Sequence, residues 1–435
     1  MKRFFRVLAL CLIMTAVICR KDAMAAGVKK TVQAYAGTKA DLESLLGVSD
    51  GTYDGYSVKS SKKKVVSYSK GKVTVKKPGT AVLTLKKGKK TEKYRINAEE
   101  PWIRVHMLDV GQGDSFLIQT VNSNILIDTG EYKEYSNLKK QLKQFGADRL
   151  DAFIVTHFDT DHYGSAQSII RDYLKEDGIF VHPLRSADGN RTYENLQKYL
   201  LRNPVREKVL SVPNEGSVID AIGFDGMEFM LLSADEGDDM NDSSIILKLS
   251  FFGSSWLFTG DASASVLNRA MDRYPEQIRT DVLKVSHHGS DYSNPLLFIY
   301  RTGADIALIS VGAGNDYGHP AVTTLSRLEK YTGSIYRTDT DGTVSLEWKD
   351  GTYSVSTEKL IKRQVKASTE DGKTDQGTKG LQPEQAQGQV IGNVKSHVYH
   401  LPTCGSLPIE KNRKYFDDIA DAEAEGYHAC GNCVK

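Results

Sequence analysis

The run LDAFIVTHFDTDHYG, residues 150–164, constrains this chain more than any other stretch. Phe153, Ile154 and Val155 read as the end of a buried strand, which stops where His157, Asp159, Asp161 and His162 crowd onto one loop ahead of a helix start. Imidazoles and carboxylates packed this closely repel or compete unless a cation holds them, so the loop reads as a dinuclear site for divalent metal ions. A fold built around it must bring further ligands to the same place from distant parts of the chain.

Three other segments have the same form, an apolar strand followed at once by a polar residue suited to such a site. ILIDTG ends at Asp128, placed to hydrogen-bond the metal-binding side chains from beneath; SSWLFTGDAS ends at Asp261, a carboxylate able to bridge two ions; DVLKVSHHGS ends at His287 and His288. An isolated Asp after Gly usually serves a turn, and a lone His pair usually sits on the surface. Their repetition beside HFDTDH is what points to a shared site. His182 falls too early in the chain for this pattern, and a structural or surface role suits it better.

Between Trp102 and Ser356 strand-like and helix-like stretches alternate, which predicts mixed α/β layering. Strands are expected at 103–108, 115–120, 124–128, 152–155, 245–250, 255–259, 282–285, 306–310 and 334–337, and helices at 136–145, 164–174, 263–274 and 322–331. With 435 residues and 40% apolar content, further modules are expected around this one. Residues 1–25 have Lys2, Arg3 and Arg6, an apolar run from Val7 to Cys19, and Ala23-Met24-Ala25 before Ala26, the pattern of a cleaved signal peptide on a secreted or cell-surface protein. A retained anchor is the lesser reading, and no later segment is apolar enough to span a membrane.

Residues 27–98 show short alternating runs such as KVTVK and TAVLTLK broken by Gly71, Pro78-Gly79 and Gly88, which predicts a small antiparallel β-sandwich. This segment has seventeen basic against five acidic residues and residues 1–26 five against one, so residues 99–435 carry −14 of a total of +2. A module at +12 suggests attraction to a polyanion such as wall teichoic acid, extracellular DNA or an anionic membrane, unless its lysines only keep it soluble. Residues 359–389 are polar and read as a flexible linker. In the remaining module, residues 390–435, His400, Cys404, Cys430 and Cys433 form a closed four-ligand set for one structural zinc ion; a Cys430–Cys433 disulfide is the competing reading.

The segments HMLDVGQGDSFLI, ILIDTG, THFDTDHYG, NDSSIILKL, LFTGDA, LKVSHHGS, ISVGAGNDYGHP and YRTDTDGTVSL, in this order over residues 106–347, resemble the metallo-β-lactamase superfamily, and within it the soluble domain of the DNA-uptake (competence) protein ComEC. The resemblance implies an αββα sandwich over residues 101–358. It implies that His157 and Asp159 hold one ion, Asp161 and His162 the other, that Asp261 bridges, and that His288, aligned by the Gly after it, completes the second site, with His287 as the alternative. The run VVSYSKGKVTVKKPGTAVLTLKKGKKTEKYRIN is similar to the bacterial Ig-like type 2 module, and VYHLPTCGSLPIEKNRKYF with AEGYHACGNC to Ada-like metal-binding modules.

Two departures refine the expected chemistry. Most of the superfamily has His where this chain has Asp159, and a separate His ligand near the place of Asn241. Both changes replace nitrogen by oxygen, which shifts preference from zinc toward manganese or magnesium without excluding zinc. Two divalent ions set against Asp159, Asp161, Asp261 and one hydroxide leave a near-neutral site open to a phosphate oxygen. The expected function is therefore phosphodiester hydrolysis, most simply of extracellular DNA, with Asp161, His319 and Ser290 catalytic and Asn241, Gly289, Ser290 and His319 touching substrate. A phosphorylcholine or teichoic-acid esterase is the alternative, and a non-catalytic wall- or DNA-binding protein stands behind both.

Overall fold

A computed structural model describes residues 27–237, 239–359, 390–401, 404, 406–409, 412–416 and 419–431. The expected signal peptide, the expected linker from residue 360 and Cys433 lie outside the described residues. Two compact units divide the chain after Glu99.

In the first unit, Gly79–Lys87 alternates buried and exposed positions, so Ala81, Leu83 and Leu85 face a core while Lys86 and Lys87 stay in water. The strands Lys30–Tyr35, Lys90–Glu99, Gly79–Lys87 and Ser57–Ser60 form one sheet, and Lys39–Asp41, Lys72–Val75 and Val66–Ser69 a second around the same core. The pairing is not wholly antiparallel as expected, because Lys30–Tyr35 runs parallel to Lys90–Glu99. A one-turn helix, Leu42–Leu46, buries Leu42 and Leu46 and ends at Gly47 with φ 64°. Its few apolar residues are too short a run to show helical periodicity.

The second unit is built on two sheets. The larger has eight strands in the order Arg206–Leu210, Leu174–Pro183, Leu150–Ile154, Asn124–Ile127, Phe116–Gln119, Trp102–Met107, Val344–Lys349 and Thr352–Thr357. The other has six, in the order Met227–Ser233, Ile246–Phe251, Ser254–Phe258, Val282–Lys284, Ile306–Ile309 and Ser334–Arg337. They pack face to face through aromatic pairs, with ring centroids of Phe116 and Phe258 5.5 Å apart and those of Phe251 and Trp348 5.8 Å apart. Helices Tyr135–Gln144, Ala166–Asp172 and Arg191–Arg202 cover one outer face through Leu138, Leu142, Ile169, Leu196 and Leu200. Helices Ala264–Arg273, Leu296–Thr302 and Val322–Tyr331 cover the other through Val266, Leu267, Phe298 and Leu328. The layering is the αββα sandwich expected over residues 101–358.

Strands Arg206–Leu210, Met227–Ser233, Val344–Lys349 and Thr352–Thr357 and helix Leu296–Thr302 add to the expected elements, and the region after the ligand loop departs most. Helix 164–174 is shorter, Ala166–Asp172, and the chain turns at Tyr173 into a ten-residue strand, Leu174–Pro183. The amphipathic helix Arg191–Arg202, capped by Asn190 accepting from the Thr192 and Tyr193 N–H groups, was not anticipated among its many polar residues.

What positions the site is strand direction. Asn124–Ile127 and Leu150–Ile154 run parallel, as do Ser254–Phe258, Val282–Lys284 and Ile306–Ile309 in the other sheet. Loops that follow parallel neighbours leave one edge of a sheet, the usual place for a site in α/β folds. Asp128, His157, Asp261 and His288 all lie just beyond such strand ends.

Candidate metal centre

One ligand-atom set holds Asp161, His162, Asp261 and His288, with all four atoms within 4.8 Å of one another. Asp161 and His162 come from the short helix Thr160–Tyr163, which starts immediately beyond Asp159 and turns both side chains inward. Asp261 Oδ2 lies 3.2 Å from His162 Nε2 and 3.1 Å from His288 Nε2, and Asp161 Oδ2 lies 3.3 Å from His288 Nε2. His157 Nε2 lies 3.6 Å from Asp159 Oδ2, and Asp159 is the more open of the two carboxylates on this loop.

The donors are set up for a cation. His157, His162 and His288 are at most 2% exposed, yet the Nε2 atom of each has no hydrogen-bond partner among the described residues. In all three the opposite ring nitrogen has a partner, for His157 the Thr156 hydroxyl at 3.1 Å from Nδ1. His162 Nδ1 pairs with Asp128 Oδ2 at 2.9 Å, and His288 Nδ1 with the Ser310 carbonyl at 2.8 Å. A ring that donates through Nδ1 presents the lone pair of Nε2, and outer partners of this kind orient metal-ligating histidines. Asp128 is itself fixed, accepting from Thr156 N–H at 2.8 Å and Thr156 Oγ at 2.7 Å, with its own φ at 57°. The residues present therefore fit divalent metal.

The electrostatics agree. Burial works to lower the pKa of His162, but Asp261, Asp161 and Asp128 hold it well above the usual range; burial likewise opposes His288, which Asp261, Asp114 and Asp161 raise. Burial would raise Asp261, but His162, His288 and Lys284 hold it well below the usual carboxylate range. The carboxylates thus draw positive charge to the point where the free nitrogens meet.

Two residues of the centre were not anticipated. Asp114, in the VGQGD loop, is buried and lies 3.4 Å from His288 Nδ1 through Oδ1. Lys284, buried at the end of its strand, sets Nζ 2.5 Å from Asp114 Oδ2, 3.3 Å from Asp261 Oδ1 and 2.5 Å from the Gly260 carbonyl. It ties the expected bridging carboxylate to the floor of the site. A lysine at the last position of the otherwise apolar strand Val282–Lys284 was the visible signal, because a buried ammonium must be paired. Gly113 lets this loop approach, since a β-carbon there would collide with the Asp161 carbonyl.

The other predicted residues lie around this centre. His287 Nε2 is 3.9 Å from Asp261 Oδ2, farther than His288, and its side chain is 31% exposed; both histidines have positive φ, which turns the two rings apart. His319 meets His287 edge to face with centroids 5.6 Å apart, and burial lowers the pKa of each. Gly289, at φ 87°, accepts from Ala321 N–H at 3.0 Å and packs against Pro320, so it seats the His319 loop. Ser290 is buried, and its hydroxyl accepts from the Tyr292 N–H at 3.3 Å, while its carbonyl accepts from Asn294 and Thr324. Asn241 opens the 3-10 turn Asn241–Ser243, and from that segment it is Ser244 Oγ that reaches the centre, accepting from Asp261 N–H at 3.0 Å. His182 pairs with the Pro183 carbonyl and Glu207 and stacks on Phe180, a structural role.

At the C-terminal end, strands Arg413–Phe416, Val390–Asn393, Val398–His400 and His428–Ala429 form a small sheet beside helix Ile419–Ala424. A His400 nitrogen and the Cys404 and Cys430 sulfurs lie within 4.8 Å of one another, and Ser406 N–H donates to Cys404 Sγ at 3.4 Å. Two thiol sulfurs and an imidazole nitrogen converging in a buried corner fit zinc.

Two family models match parts of the chain. Residues 108–312 match the Metallo-beta-lactamase superfamily and residues 382–435 the Metal binding domain of Ada. The chain is 31% identical over 280 residues to "ComE operon protein 3" of Bacillus subtilis (strain 168), covering 58% of this chain and 34% of that protein. It is 26% identical over 241 residues to "Competence protein ComA" of Neisseria gonorrhoeae, covering 55% and 31%. The chain thus spans about a third of the length of these relatives. Among solved structures, the metallo-β-lactamase fold protein YhfI from Bacillus subtilis aligns at a TM-score of 0.39 and 14% identity, over 59% of this chain and 100% of that one.

Proposed function

We propose that this chain, whose second unit is a metallo-β-lactamase superfamily domain with a zinc module behind it, hydrolyses phosphodiester bonds in nucleic acid, with extracellular DNA as the substrate. The observation that carries the reading is the donor set. Three carboxylates, Asp159, Asp161 and Asp261, stand with His157, His162 and His288, and hard oxygen donors suit manganese as well as zinc. Divalent ions held there would neutralise charge on phosphate oxygens and make water nucleophilic near neutral pH. The names of the competence-protein relatives support DNA, although they belong to proteins of about three times the matched length.

The chain's own residues divide the remaining work. Asp128 and the Ser310 carbonyl hold His162 and His288 in the tautomers that present Nε2. Lys284 and Ser244 hold Asp261 from opposite ends of its residue, by side chain and by backbone. His319 and His287 stand at the rim, and burial lowers the pKa of each, which favours neutral rings able to donate one hydrogen bond to a phosphate oxygen.

The leader at residues 1–25 supports export, and the basic first unit supports recruitment of a polyanion, either DNA or a cell-wall polymer. That unit is also the one feature favouring an esterase of choline-decorated teichoic acid. Side-by-side assay of the manganese- or zinc-loaded protein on DNA and on choline-decorated wall polymer tests the assignment. Cleavage of DNA, abolished by Asp161→Ala in folded protein, is the expected result; release of phosphorylcholine with DNA left intact would overturn it.

A further inference from the structure

A continuous series of aromatic rings runs from solvent to the metal centre. Tyr317, 70% exposed, stacks on His319 with centroids 5.9 Å apart and planes 20° apart. His319 meets His287 at 5.6 Å, His287 meets His288 at 6.0 Å, His288 meets His162 at 5.4 Å, and His162 meets His157 at 4.1 Å. The inner three present free nitrogens to the site, the next two stand at its rim, and only the outermost ring is phenolic.

The loop that holds Tyr317 is fastened. Asn315 Oδ1 accepts from Tyr317 N–H at 3.1 Å and His319 N–H at 3.0 Å, while Asn315 Nδ2 donates to the Gly312 carbonyl at 3.0 Å and the His319 carbonyl at 2.6 Å. One amide side chain thus clamps the backbone on both sides of Tyr317. An aromatic ring left in water on a pinned loop buries little apolar area in the free protein, and its ordering cost is already met before anything binds.

We infer that Tyr317 is the stacking platform for one unpaired nucleobase of the substrate, one or two nucleotides from the phosphate engaged at the metal centre. The inference rests on the phosphodiesterase reading and narrows it to nucleic acid presented as an unpaired strand or end. Charge points the same way. Residues 99–435 carry −14, so this part of the chain lacks the basic excess by which proteins usually hold the duplex backbone, and base stacking supplies affinity that needs no cationic groove. Every base has a π-face, so such a platform tolerates any sequence while rejecting phosphodiesters with no planar group, such as glycerophosphocholine or a teichoic-acid unit.

The test uses the full, metal-loaded chain and 5′-labelled single-stranded DNA 20-mers in which one abasic residue is moved along the strand, with cleavage and fluorescence-anisotropy binding both measured. In the wild type, an abasic residue at one register from the cut bond raises KM and Kd; Tyr317→Ala raises both for intact DNA by about 5- to 150-fold and removes the dependence on that register, and Tyr317→Phe restores it. If Tyr317→Ala binds and cuts intact DNA as the wild type does, or loses the same factor at every register, the platform is wrong while the nuclease reading stands. If the wild type neither binds nor cuts nucleic acid, both fall.

Discussion

At the residue scale, the centre depends on groups that never touch substrate. Asp128 fixes the His162 ring, and outer partners of metal-ligating histidines are commonly worth 10–100-fold in metal affinity. Asp128→Ala should therefore weaken metal binding by about that factor in a direct titration, with Asp128→Asn less affected because an amide oxygen still accepts from Nδ1; equal affinities would reduce Asp128 to a turn residue. Lys284 is the only lysine or arginine among the described residues seen pairing with both Asp114 and Asp261. Lys284→Met leaves two buried carboxylates short of their ion pair and should cost about 3–5 kcal/mol, read as a fall in the unfolding midpoint of the metal-free protein. His106 behaves differently. Burial drives its pKa down to about 4 between Ser345 and Gln119, so the unfolded chain binds the proton that the folded one refuses. Its share of stability is present above about pH 6.5 and is lost as pH falls toward 4, at up to about 1.4 kcal/mol per pH unit. His106→Gln should flatten the pH dependence of stability across that window, and an unchanged slope would contradict the neutral buried imidazole.

At the element scale, the site is a property of strand ends, and this explains what was legible. Strands that end in a ligand, such as Leu150–Ile154 and Ser254–Phe258, fall within two residues of expectation, because an apolar run meeting a polar loop marks a buried strand's exit. Strand Leu174–Pro183 is missing from the sequence expectation, which ends a helix at 174 and assigns nothing to 175–183, since its polar start KEDG hides the apolar IFV that follows. HFDTDH announced its ligands by type and spacing. Asp114 did not, because one Asp in VGQGD reads as a turn residue until the loop is seen against Asp161. Neither Asn241 nor Ser290 could be placed from sequence, as short polar side chains divide between substrate and their own turns only in three dimensions. The loops also make a prediction. At Gly113, φ 127° combines with a β-carbon collision against the Asp161 carbonyl, whereas at Gly253, φ 92°, the space is open. Gly113→Ala should cost more than Gly253→Ala, by about 1–3 kcal/mol, and should weaken metal binding as well; comparable losses in thermal unfolding would show that the VGQGD loop does not brace the ligand loop.

At the scale of the whole molecule, the zinc module is packed against the α/β domain. Tyr399, Phe416, Ile419 and Tyr427 share one buried cluster with Leu297 and Phe298 of helix Leu296–Thr302, and Arg301 pairs with Glu423 at 2.6 Å. Loss of that zinc should therefore reach the sandwich. Cys404→Ser should lower zinc content by one ion per chain and shift the midpoint of the α/β domain by several degrees, at roughly 2–4 °C for each kcal/mol lost; an unshifted midpoint would mean that the module folds independently. The proposed chemistry is hydrolysis of phosphodiesters at the donors gathered from HFDTDH, LFTGDA and SHHGS. Its most direct test is the rate of DNA cleavage by the full chain reconstituted with manganese or with zinc, beside Asp161→Ala shown by circular dichroism to be folded. Metal-dependent cleavage by the wild type, reduced at least about 100-fold in the variant, is the predicted result. No cleavage by metal-loaded wild type, or equal cleavage by both, would contradict it.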